Sequence, residues 1–417
     1  MFRTATAADT DAVLGVLMGA FGFQADTPKY RHLRRMLQNA PDQWRVMHHD
    51  DRIVGTVHIG DKRLQIGCAA ILQGDVGEVA VLPSAHGQGL GSQLMADTVA
   101  WMKANRYDLS RLGGLVKFYA RFGYLRFPRR YIEFLVGREV GAGASRIQLG
   151  QIPIDAGLAA KLKPFDPNVH AEDYARLADE FRQRYQGRLV SDRAAQPPGP
   201  NDVFFVFEDD GLLLGYAFAY ELDREYTEFE ARIVIADLAY PRDKPHVIQT
   251  LVANLNNIAS RKGYPRITAR FPFDPQILRA LADIPIHFQV NETYGSVAAN
   301  MLQIVNLNSL LEKLAAELET RLAASAAPGF RGRIEIDIEK DSAALEIADG
   351  RIKPAETANA DLRLAIPEFE MMQMVLGMLS FAELRELLDP KPALTPQLAS
   401  LLSDLFPRKP VWSGNWG

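Results

Sequence analysis

The stretch VAVLPSAHGQGLGSQLMADTVAW, Val79 to Trp101, joins an apolar strand pattern to an amphipathic helix pattern through a loop with three glycines. Glycine lets the backbone approach a ligand closely and adopt conformations that other residues avoid. The free N–H groups and the dipole at a helix N-terminus attract phosphate. The loop therefore predicts a diphosphate-binding site, although a turn that needs glycine for its own geometry would have the same pattern.

Two common phosphate-binding motifs do not fit this loop. A nucleotide P-loop has lysine and then serine or threonine after its last glycine, whereas Gly91 is followed by Ser92 and Gln93. A dinucleotide-binding loop follows the first strand of a βαβ unit, but several antiparallel strand patterns precede this loop. A diphosphate held beside an antiparallel sheet suits coenzyme A instead.

Length and composition limit the classes of protein to which the chain can belong. Its 417 residues exceed what a single core supports, so two or three domains are expected. A net charge of −4 gives no electrostatic footprint for nucleic acid or a membrane surface. Cys68 is the single cysteine, which excludes an internal disulfide and a metal site built on thiolates. Because there is no long apolar run and no signal-peptide pattern, a cytoplasmic protein is expected.

The first third of the chain predicts a mixed domain of strands and helices. A strand at Phe2 to Thr4 precedes two helices, the first of which begins with Thr6 and Asp9 as a capping box. Four strand patterns follow, WRVMHH, DRIVGTVHIG, KRLQIGCAAI and GEVAVLP, with hairpin turns expected at HDDR and GDKR. The glycine loop, a helix over Ser92 to Asn105, a short segment, a helix with KFYARFGY and the strand RRYIEFLV complete the order.

The middle of the chain repeats this order without the glycines. Strand, proline and helix recur from Asp237 to Lys262, but the loop between them reads YPRDKPHV. We interpret this as a duplication whose second copy has lost the loop. From about Gln303 a third pattern begins, with a helix, two hairpin strands, the strand ADLRLAI and the helix PEFEMMQMVLGML. That Met-rich helix is more typical of a core or lid helix than of a cofactor box.

Two motifs resemble those of the GCN5-related N-acetyltransferase (GNAT) superfamily. HGQGLG resembles its acetyl-CoA motif R/Q-x-x-G-x-G/A, and KFYARFGYLRF resembles its FYxRFGF segment. The whole chain is similar to the enhanced intracellular survival (Eis) type. This resemblance implies an α+β protein with two tandem GNAT folds, each a mostly antiparallel sheet flanked by helices, and a C-terminal domain like sterol carrier protein 2 (SCP2). The implied domains are residues 1–145 (catalytic), 146–302 (degenerate) and 303–417.

The same resemblance implies the ligands and the residues that bind them. Acetyl-CoA would be the co-substrate without a metal, a small-molecule or peptide amine the acceptor, and the protein a homo-oligomer, often a hexamer. Acetyl-CoA would contact the strand before the loop, the loop's backbone donors and the end of the next strand, at Val79, Ala80, Val81, His86, Gly87, Gln88, Gly89, Leu90, Gly91, Ser92, Gly114 and Leu115. His86 departs from the motif, and a neutral histidine attracts phosphate less than arginine does.

Acetyl transfer to an amine needs a base for the amine and an acid for the departing thiolate. The resemblance implies that Tyr119 is the acid, with Tyr124 as a structural tyrosine. It also implies that the C-terminal carboxylate, here that of Gly417, is the base. Trp412 and Trp416 would anchor the tail, because exposed large aromatic side chains are costly; packing on the third domain's own surface is the alternative.

Other bases and another function stay open at this point. Glu78, on the strand before the loop, is the rival base, while Asp26 and His32 are weaker candidates near the acceptor side. The alternative function is a lipid- or small-molecule-binding protein that uses the SCP2-like domain. The intact glycine loop favours the enzyme, because a lipid carrier has no need of it.

Overall fold

The structure is a computed structural model, and it describes residues 1–136, 139–140, 147–148, 150–190, 198–199, 201–222, 231–272 and 274–412. The chain forms two compact units. The first unit consists of Met1–Phe127, Tyr294–Val375 and Leu379–Pro407. The second unit consists of Pro128–Thr293, Leu376–Met378 and the segment from Arg408 onward.

Strands and helices alternate along the whole chain. The strands are β1 (Phe2–Thr4), β2 (Trp44–His49), β3 (Arg52–Ile66), β4 (Ala69–Val81), β5 (Leu109–Leu115), β6 (Leu125–Arg126), β7 (Arg129–Leu135), β8 (Glu139–Val140), β9 (Ile147–Gln148), β10 (Leu162–Pro164), β11 (Arg188–Leu189), β12 (Asp202–Asp209), β13 (Leu212–Leu222), β14 (Arg232–Ala239), β15 (Arg266–Ala269), β16 (His287–Thr293), β17 (Ala298–Ile304), β18 (Gly332–Asp337), β19 (Ser342–Ala348), β20 (Arg351–Ala355) and β21 (Leu362–Ala365). The helices are α1 (Thr10–Phe21), α2 (Pro28–Asn39), α3 (Leu90–Ala104), α4 (Val116–Tyr119), α5 (Ala156–Ala159), α6 (Pro167–Arg182), α7 (Pro245–Arg261), α8 (Pro275–Ala282), α9 (Leu307–Ala323), α10 (Glu368–Val375), α11 (Phe381–Leu387) and α12 (Pro396–Leu405). Among these helices, none is long and apolar enough to cross a membrane.

Two large sheets have the same strand order, which confirms the expected α+β class. The sheet of the first unit runs β1-β2-β3-β4-β5-β17-β6, and that of the second unit runs β10-β12-β13-β14-β15-β7-β16. In each, one central pair is parallel, β4 with β5 and β14 with β15, and the other neighbours are antiparallel. A third sheet, β20-β19-β18-β21, belongs to the first unit.

Each large sheet contains a strand from a distant part of the sequence. β17 pairs with β5 and β6 of the first sheet, although it follows the second group of elements in the chain. β7 pairs with β15 and β16 of the second sheet, although it follows the first group. The domain bounds at residues 145 and 302 stay a prediction. In the structure, β7 lies before the first bound but pairs in the second sheet, and β17 spans the second bound and pairs in the first sheet.

The hairpin of β3 and β4 corrects one predicted turn. The GDKR stretch, Gly60 to Arg63, lies inside the continuous strand β3, and its residues pair with β4. The reversal comes at Gly67 and Cys68, where Gly67 has a φ of +56°. A glycine supplies this left-handed conformation without strain, so the turn forms there rather than at the charged stretch. The turn predicted at HDDR is confirmed.

Helices cover both faces of the first sheet. Trp44, Val46 and Ala80 pack in one buried cluster with residues of α1 and α2. A second cluster joins the opposite face to α3. The predicted capping box of Thr6 and Asp9 is present at the start of this helical region. These two layers enclose β3, β4 and β5 and fix the loop that follows β4.

The C-terminal part of the first unit packs on the same sheet through α9. The carboxylate of Asp108, whose side chain is fully buried, accepts from Ser309 Oγ and Lys313 Nζ, both at 2.7 Å, and from Leu72 N at 2.6 Å. These charge-assisted bonds offset the desolvation of the carboxylate. The methionines of α10, Met371, Met372 and Met374, are buried, which fits a core helix.

Candidate active site

The loop between β4 and α3 takes its shape from two of its three glycines. Gly87 and Gly89 have φ values of +79° and +73°, in the left-handed region that other residues rarely adopt. A Cβ on either one would meet no atom within 4 Å, so their backbone borders open space. A Cβ on Gly91 would lie 3.8 Å from Phe118 and Val81, which is ordinary contact. The turn therefore requires Gly87 and Gly89 and leaves their backbone accessible.

Unpaired amides line this loop. Among the described residues, the N–H groups from Gly87 to Gly91 have no hydrogen-bond acceptor. Ser92 N and Gln93 N both donate to Gly89 O, at 3.0 and 3.1 Å, so the predicted amide donor of Ser92 is already used by the helix. Consecutive free N–H groups at the positive end of a helix form an anion site.

β4 and β5 separate beside this loop. The two strands pair in parallel from Gln73 with Leu109 to Val76 with Leu112, and no later pair joins them within residues 1–136. Just beyond the last pair, the register between β3 and β4 shifts, and Glu78 has a φ of +49°. Such a bulge bends a strand and increases its twist. The result is a cleft between two strand ends, next to the free amides.

The end of β4 presents backbone groups to this cleft. Leu82 N donates to Val54 O at 2.8 Å, and backbone groups of successive residues point to opposite sides of a strand, so those of Val81 point away from β3. His86 Nε2 lies 2.9 Å from Val81 O and donates to it, since a carbonyl only accepts. Of the other two predicted residues, Ala80 is buried and Val79 is partly buried against the α3 cluster. The His86 side chain thus ties the loop to the strand.

Tyr119 lies against the far wall of the cleft. A Cβ on Gly114 of β5 would be 2.3 Å from Tyr119 Cε2, so the ring packs on bare backbone. The Tyr119 hydroxyl has no hydrogen-bond partner among the described residues, and burial raises its pKa. The phenol therefore stays protonated near neutral pH and has a proton to give. Leu115, the next predicted residue, is 57% exposed at the N-terminus of α4.

Tyr124 differs from Tyr119 in its degree of burial and in the hydrogen bonding of its hydroxyl. It is fully buried, and its hydroxyl lies 2.7 Å from Ser110 Oγ. Burial raises the pKa of Tyr124 to about 12. A buried hydroxyl with a partner is typical of a structural tyrosine, as the sequence indicated.

Arg121 is a site residue that the sequence analysis did not single out. Its Nη2 donates to Ser92 Oγ at 3.1 Å, and its guanidinium lies over the rings of Phe118 and Phe122, at 5.0 and 5.5 Å. These contacts hold a cation beside the first turn of α3. Its position within KFYARFGY was the available signal, because the motif places this arginine two residues after Tyr119.

The candidate bases differ in what the structure describes. Glu78 is partly buried at the bulge and has no hydrogen bond or ion pair with another described residue. Asp26 and His32 are exposed, as expected for weak candidates, and His32 Nδ1 lies 3.4 Å from Arg35 Nη2. Gly417, like Trp416, lies outside the described residues.

Trp412 anchors the tail within the second unit. It is 2% exposed and packs edge-to-face on Phe181 and Tyr185, with ring centroids 6.1 and 5.8 Å apart. Its backbone N–H donates to Gln186 O at 2.7 Å. The partners of Trp412 therefore belong to residues 181–186, not to the C-terminal region that the alternative interpretation required.

The corresponding loop of the second unit lacks the glycines and the unbroken row of free N–H groups of the first. Pro245 occupies the first position of α7 and has no N–H to offer. Arg242 and Tyr185 instead contact Asp274, at 3.1 and 2.9 Å, beside this loop. Asp237, at the end of β14, pairs with Arg182 and accepts from the hydroxyl of Tyr216 at 3.1 Å. Ion pairs and aromatic rings thus fill the region that is open beside β4.

A family model and several solved structures match the chain. Residues 1–126 match the model described as acetyltransferase (GNAT) domain. A GCN5-related N-acetyltransferase from Kribbella flavida is 17% identical, with a TM-score of 0.63 and coverage of 97% of this chain and 95% of that one. A conserved protein of unknown function from Enterococcus faecalis V583, titled a probable N-acyltransferase, is 14% identical, with a TM-score of 0.63 and coverage of 99% and 97%. Eis1 from Mycobacterium abscessus is 15% identical, with a TM-score of 0.56 and coverage of 99% of each chain.

These matches show that residues 1–126 are similar to the GNAT domain family and that the fold is shared along nearly the whole chain. Among curated proteins, none matches the sequence. Within the part of the chain that the structure describes, no cluster of three or more His, Cys, Asp or Glu side chains could hold a metal ion. The candidate site is therefore built from backbone amides, one tyrosine and one arginine.

Proposed function

We propose that the chain is an acetyl-CoA-dependent N-acetyltransferase that transfers the acetyl group to a primary amine by direct attack. The observation that carries this proposal is the row of free N–H groups from Gly87 to Gly91, at the start of α3 and beside the separation of β4 and β5. A turn that needed glycine only for its shape would not require an open cleft next to it. The GNAT domain match over residues 1–126 supports the same reading.

Three groups bind acetyl-CoA in this proposal. The amides from Gly87 to Gly91 hold the diphosphate, and Arg121 adds the positive charge that an arginine at position 86 would supply. The backbone edge of Val81 pairs with the amides of the pantetheine arm, since it points away from β3. Gly114 and Leu115 border the same cleft from β5.

The chemistry uses one acid and one base. The amine lone pair forms a C–N bond with the acetyl carbon, the C–S bond breaks, and the thiolate takes the proton of the Tyr119 phenol. The amine nitrogen gives up one proton to the base, so that the amide product is neutral. We propose the Gly417 carboxylate as this base from the resemblance to the Eis type, with Glu78 as the rival.

Thermal unfolding tests the binding half of the proposal. A ligand at 100 times its Kd stabilises the folded state by about 2.7 kcal/mol, which raises Tm by several degrees. We expect this shift with acetyl-CoA and not with a nucleotide triphosphate of similar charge. Arg121→Gln should weaken acetyl-CoA binding, and the exposed Arg279→Gln on α8 serves as the matched control. Absence of any shift with acetyl-CoA would remove the basis of the proposal.

Thiol release with a panel of amines tests the transfer itself. Polyamines, aminoglycosides, lysine and lysine peptides cover the acceptor classes that the family resemblance suggests. Cys68 is exposed and would react once with a thiol reagent, so Cys68→Ala provides the background-free enzyme. If the protein binds acetyl-CoA but acetylates no amine of the panel, it is a binding protein rather than a transferase.

The alternative, a lipid-binding protein, has weaker support. A cleft of about 680 Å³ lies among residues of the C-terminal region in the first unit. Its lining combines charged residues such as Asp337 and Arg363 with apolar ones such as Ile366, Leu387 and Leu388, so the cleft does not by itself favour a lipid over a polar ligand. The proposed homo-oligomer is a separate question that light scattering of the purified protein answers.

A further inference from the structure

A notch of bare backbone interrupts one face of the first sheet at the start of the cleft. His58 of β3 is paired with Gly77 of β4, and Gly60 is paired with Asp75. Directly paired residues share a face, and so do residues two apart along a strand, so these four lie together. A Cβ on Gly77 would meet no atom within 4 Å. This face of the sheet is therefore open down to the backbone at Gly77.

The notch lies where the chemistry of the proposed function must take place. Gly77 is the first residue after Val76, which makes the last pair between β4 and β5, and it directly precedes the bulge at Glu78. His58 is also paired with Trp44, which packs in the cluster that contains α1 and α2. An acceptor on this face reaches the cleft from the side opposite to α3.

The protonation state of His58 follows from its contacts. Its Nε2 lies 3.3 Å from Gln43 Oε1, and because a carboxamide oxygen only accepts, Nε2 carries the proton. Nδ1 then has a lone pair, and no described residue donates to it. Burial lowers the pKa of His58 to about 4; the neighbouring Lys62 and His32 also lower it, whereas Asp75 and Asp61 raise it. The imidazole is thus neutral at neutral pH and has one free acceptor.

The other side of the notch is rigid. Asp75 Oδ1 pairs with Arg111 Nη1 at 3.0 Å, and Arg111 Nε donates to Asn300 Oδ1 at 2.9 Å. The ring of His58 lies 4.8 Å from that of Trp44, and Gly60 leaves room for it, since a Cβ there would be 3.1 Å from His58 Cε1. Both walls of the notch are therefore held in place by neighbours on the same sheet.

We propose that this notch receives the amino group of the acceptor and that His58 Nδ1 accepts one of its N–H bonds. The inference rests on the proposed function. A neutral primary amine has two N–H bonds and one lone pair, so one N–H held by His58 fixes the direction of the lone pair toward the acetyl carbon. His58 is a positioning residue and does not keep the proton, which still passes to the base. The open backbone at Gly77 leaves room for an aminomethyl group.

Three variants and one control test this inference in the full-length protein. Gly77→Ala adds a methyl group that touches no protein atom, so we expect an unchanged Tm and acetyl-CoA Kd but a loss of about tenfold or more in kcat/KM for the amine. His58→Leu should lose about as much, whereas His58→Asn, which keeps an acceptor near Nδ1, should recover most of it. Gly329→Ala, also with no atom within 4 Å, should behave as wild type.

The acceptor panel adds a readout that a structural role would not change. With n-butylamine as the acceptor, Gly77→Ala should reduce transfer without changing the affinity for acetyl-CoA. If wild type transfers no acetyl group, the proposed function fails. If wild type is active but Gly77→Ala and His58→Leu keep amine kcat/KM within about twofold, the notch and His58 have no role in acceptor binding.

Discussion

Replacement of Gly114 by alanine is the most direct test of Tyr119 as the acid, because it moves the ring without removing its hydroxyl. The new Cβ would lie 2.3 Å from Cε2, 2.8 Å from Cδ2 and 3.2 Å from Cζ. Carbon atoms in contact prefer about 3.5 to 4.0 Å, so the ring must move by about 1 Å. Overpacking of this kind costs about 1 to 3 kcal/mol, and a displacement of about 1 Å at a reacting group can slow turnover about 100-fold.

The assay compares turnover with stability in three variants. For Gly114→Ala we expect a lower Tm and a kcat close to that of Tyr119→Phe, with amine KM changed little. Gly113→Ala is the matched control for stability, since a Cβ there meets no atom within 4 Å, and its Tm should equal that of wild type. A Gly114→Ala protein that melts lower yet keeps wild-type kcat would show that the position of the Tyr119 ring has no bearing on the reaction.

Four further predictions follow from the same site. Tyr119→Phe should lower kcat about 100- to 10,000-fold while acetyl-CoA binding by calorimetry stays unchanged. Gly89→Ala, at a φ of +73°, should lower stability by about 1 kcal/mol in chemical denaturation and weaken acetyl-CoA binding, which a normal Kd would contradict. A histidine of the unfolded chain is protonated below about pH 6.5, whereas His58 of the folded protein is protonated only below about pH 4. As the pH falls from 6.5 to 4, the free energy of unfolding of the wild type should therefore fall by up to about 3 kcal/mol more than that of His58→Asn. Residues added after Gly417 should lower kcat without changing Tm. If such an extension leaves kcat unchanged and Glu78→Gln lowers it, Glu78 is the base.

Local patterns predicted the parts of the fold that local physics determines. The capping box at Thr6, the strand before Pro83 and the helix after Gly91 all follow from side chains close in sequence. The helix began at Leu90 rather than Ser92, which is within the usual uncertainty of a helix terminus. Predictions of this kind held because capping, burial periodicity and glycine geometry act over a few residues.

Pairing between distant strands could not be read from the sequence. β7 (RRYIEFL) and β17 (AANMLQI) are rich in apolar residues, which is compatible with a strand but does not identify its neighbours in a sheet. β7 follows the strands of the first sheet in the sequence but pairs in the second sheet, and β17 follows the strands of the second sheet but pairs in the first. The long hairpin of β3 and β4 was missed for a related reason, because a charged stretch such as GDKR is compatible with both a turn and a solvent-facing strand segment.

The residues of the candidate site that lie in a motif could be predicted from the sequence, whereas those that only the fold brings together could not. The loop glycines and Tyr119 stand in recognisable motifs. Arg121 beside Ser92 and His58 opposite Gly77 are brought to the cleft by a helical turn and by strand register. The sequence also could not separate the roles of the glycines, since only the backbone conformation shows that Gly87 and Gly89 need positive φ whereas Gly91 does not.

The second unit shows why the fold alone does not create the site. Its sheet has the same strand order and the same single parallel pair, yet Pro245 removes an N–H from the helix start and Asp274 and Asp237 occupy the region with ion pairs. A buried ion pair leaves an unpaired charge when one partner is removed, so Asp237→Ala should destabilise the second unit rather than open a binding site. Because only the first unit has this glycine loop, we expect acetyl-CoA to bind at one equivalent per chain and Gly89→Ala to weaken that binding.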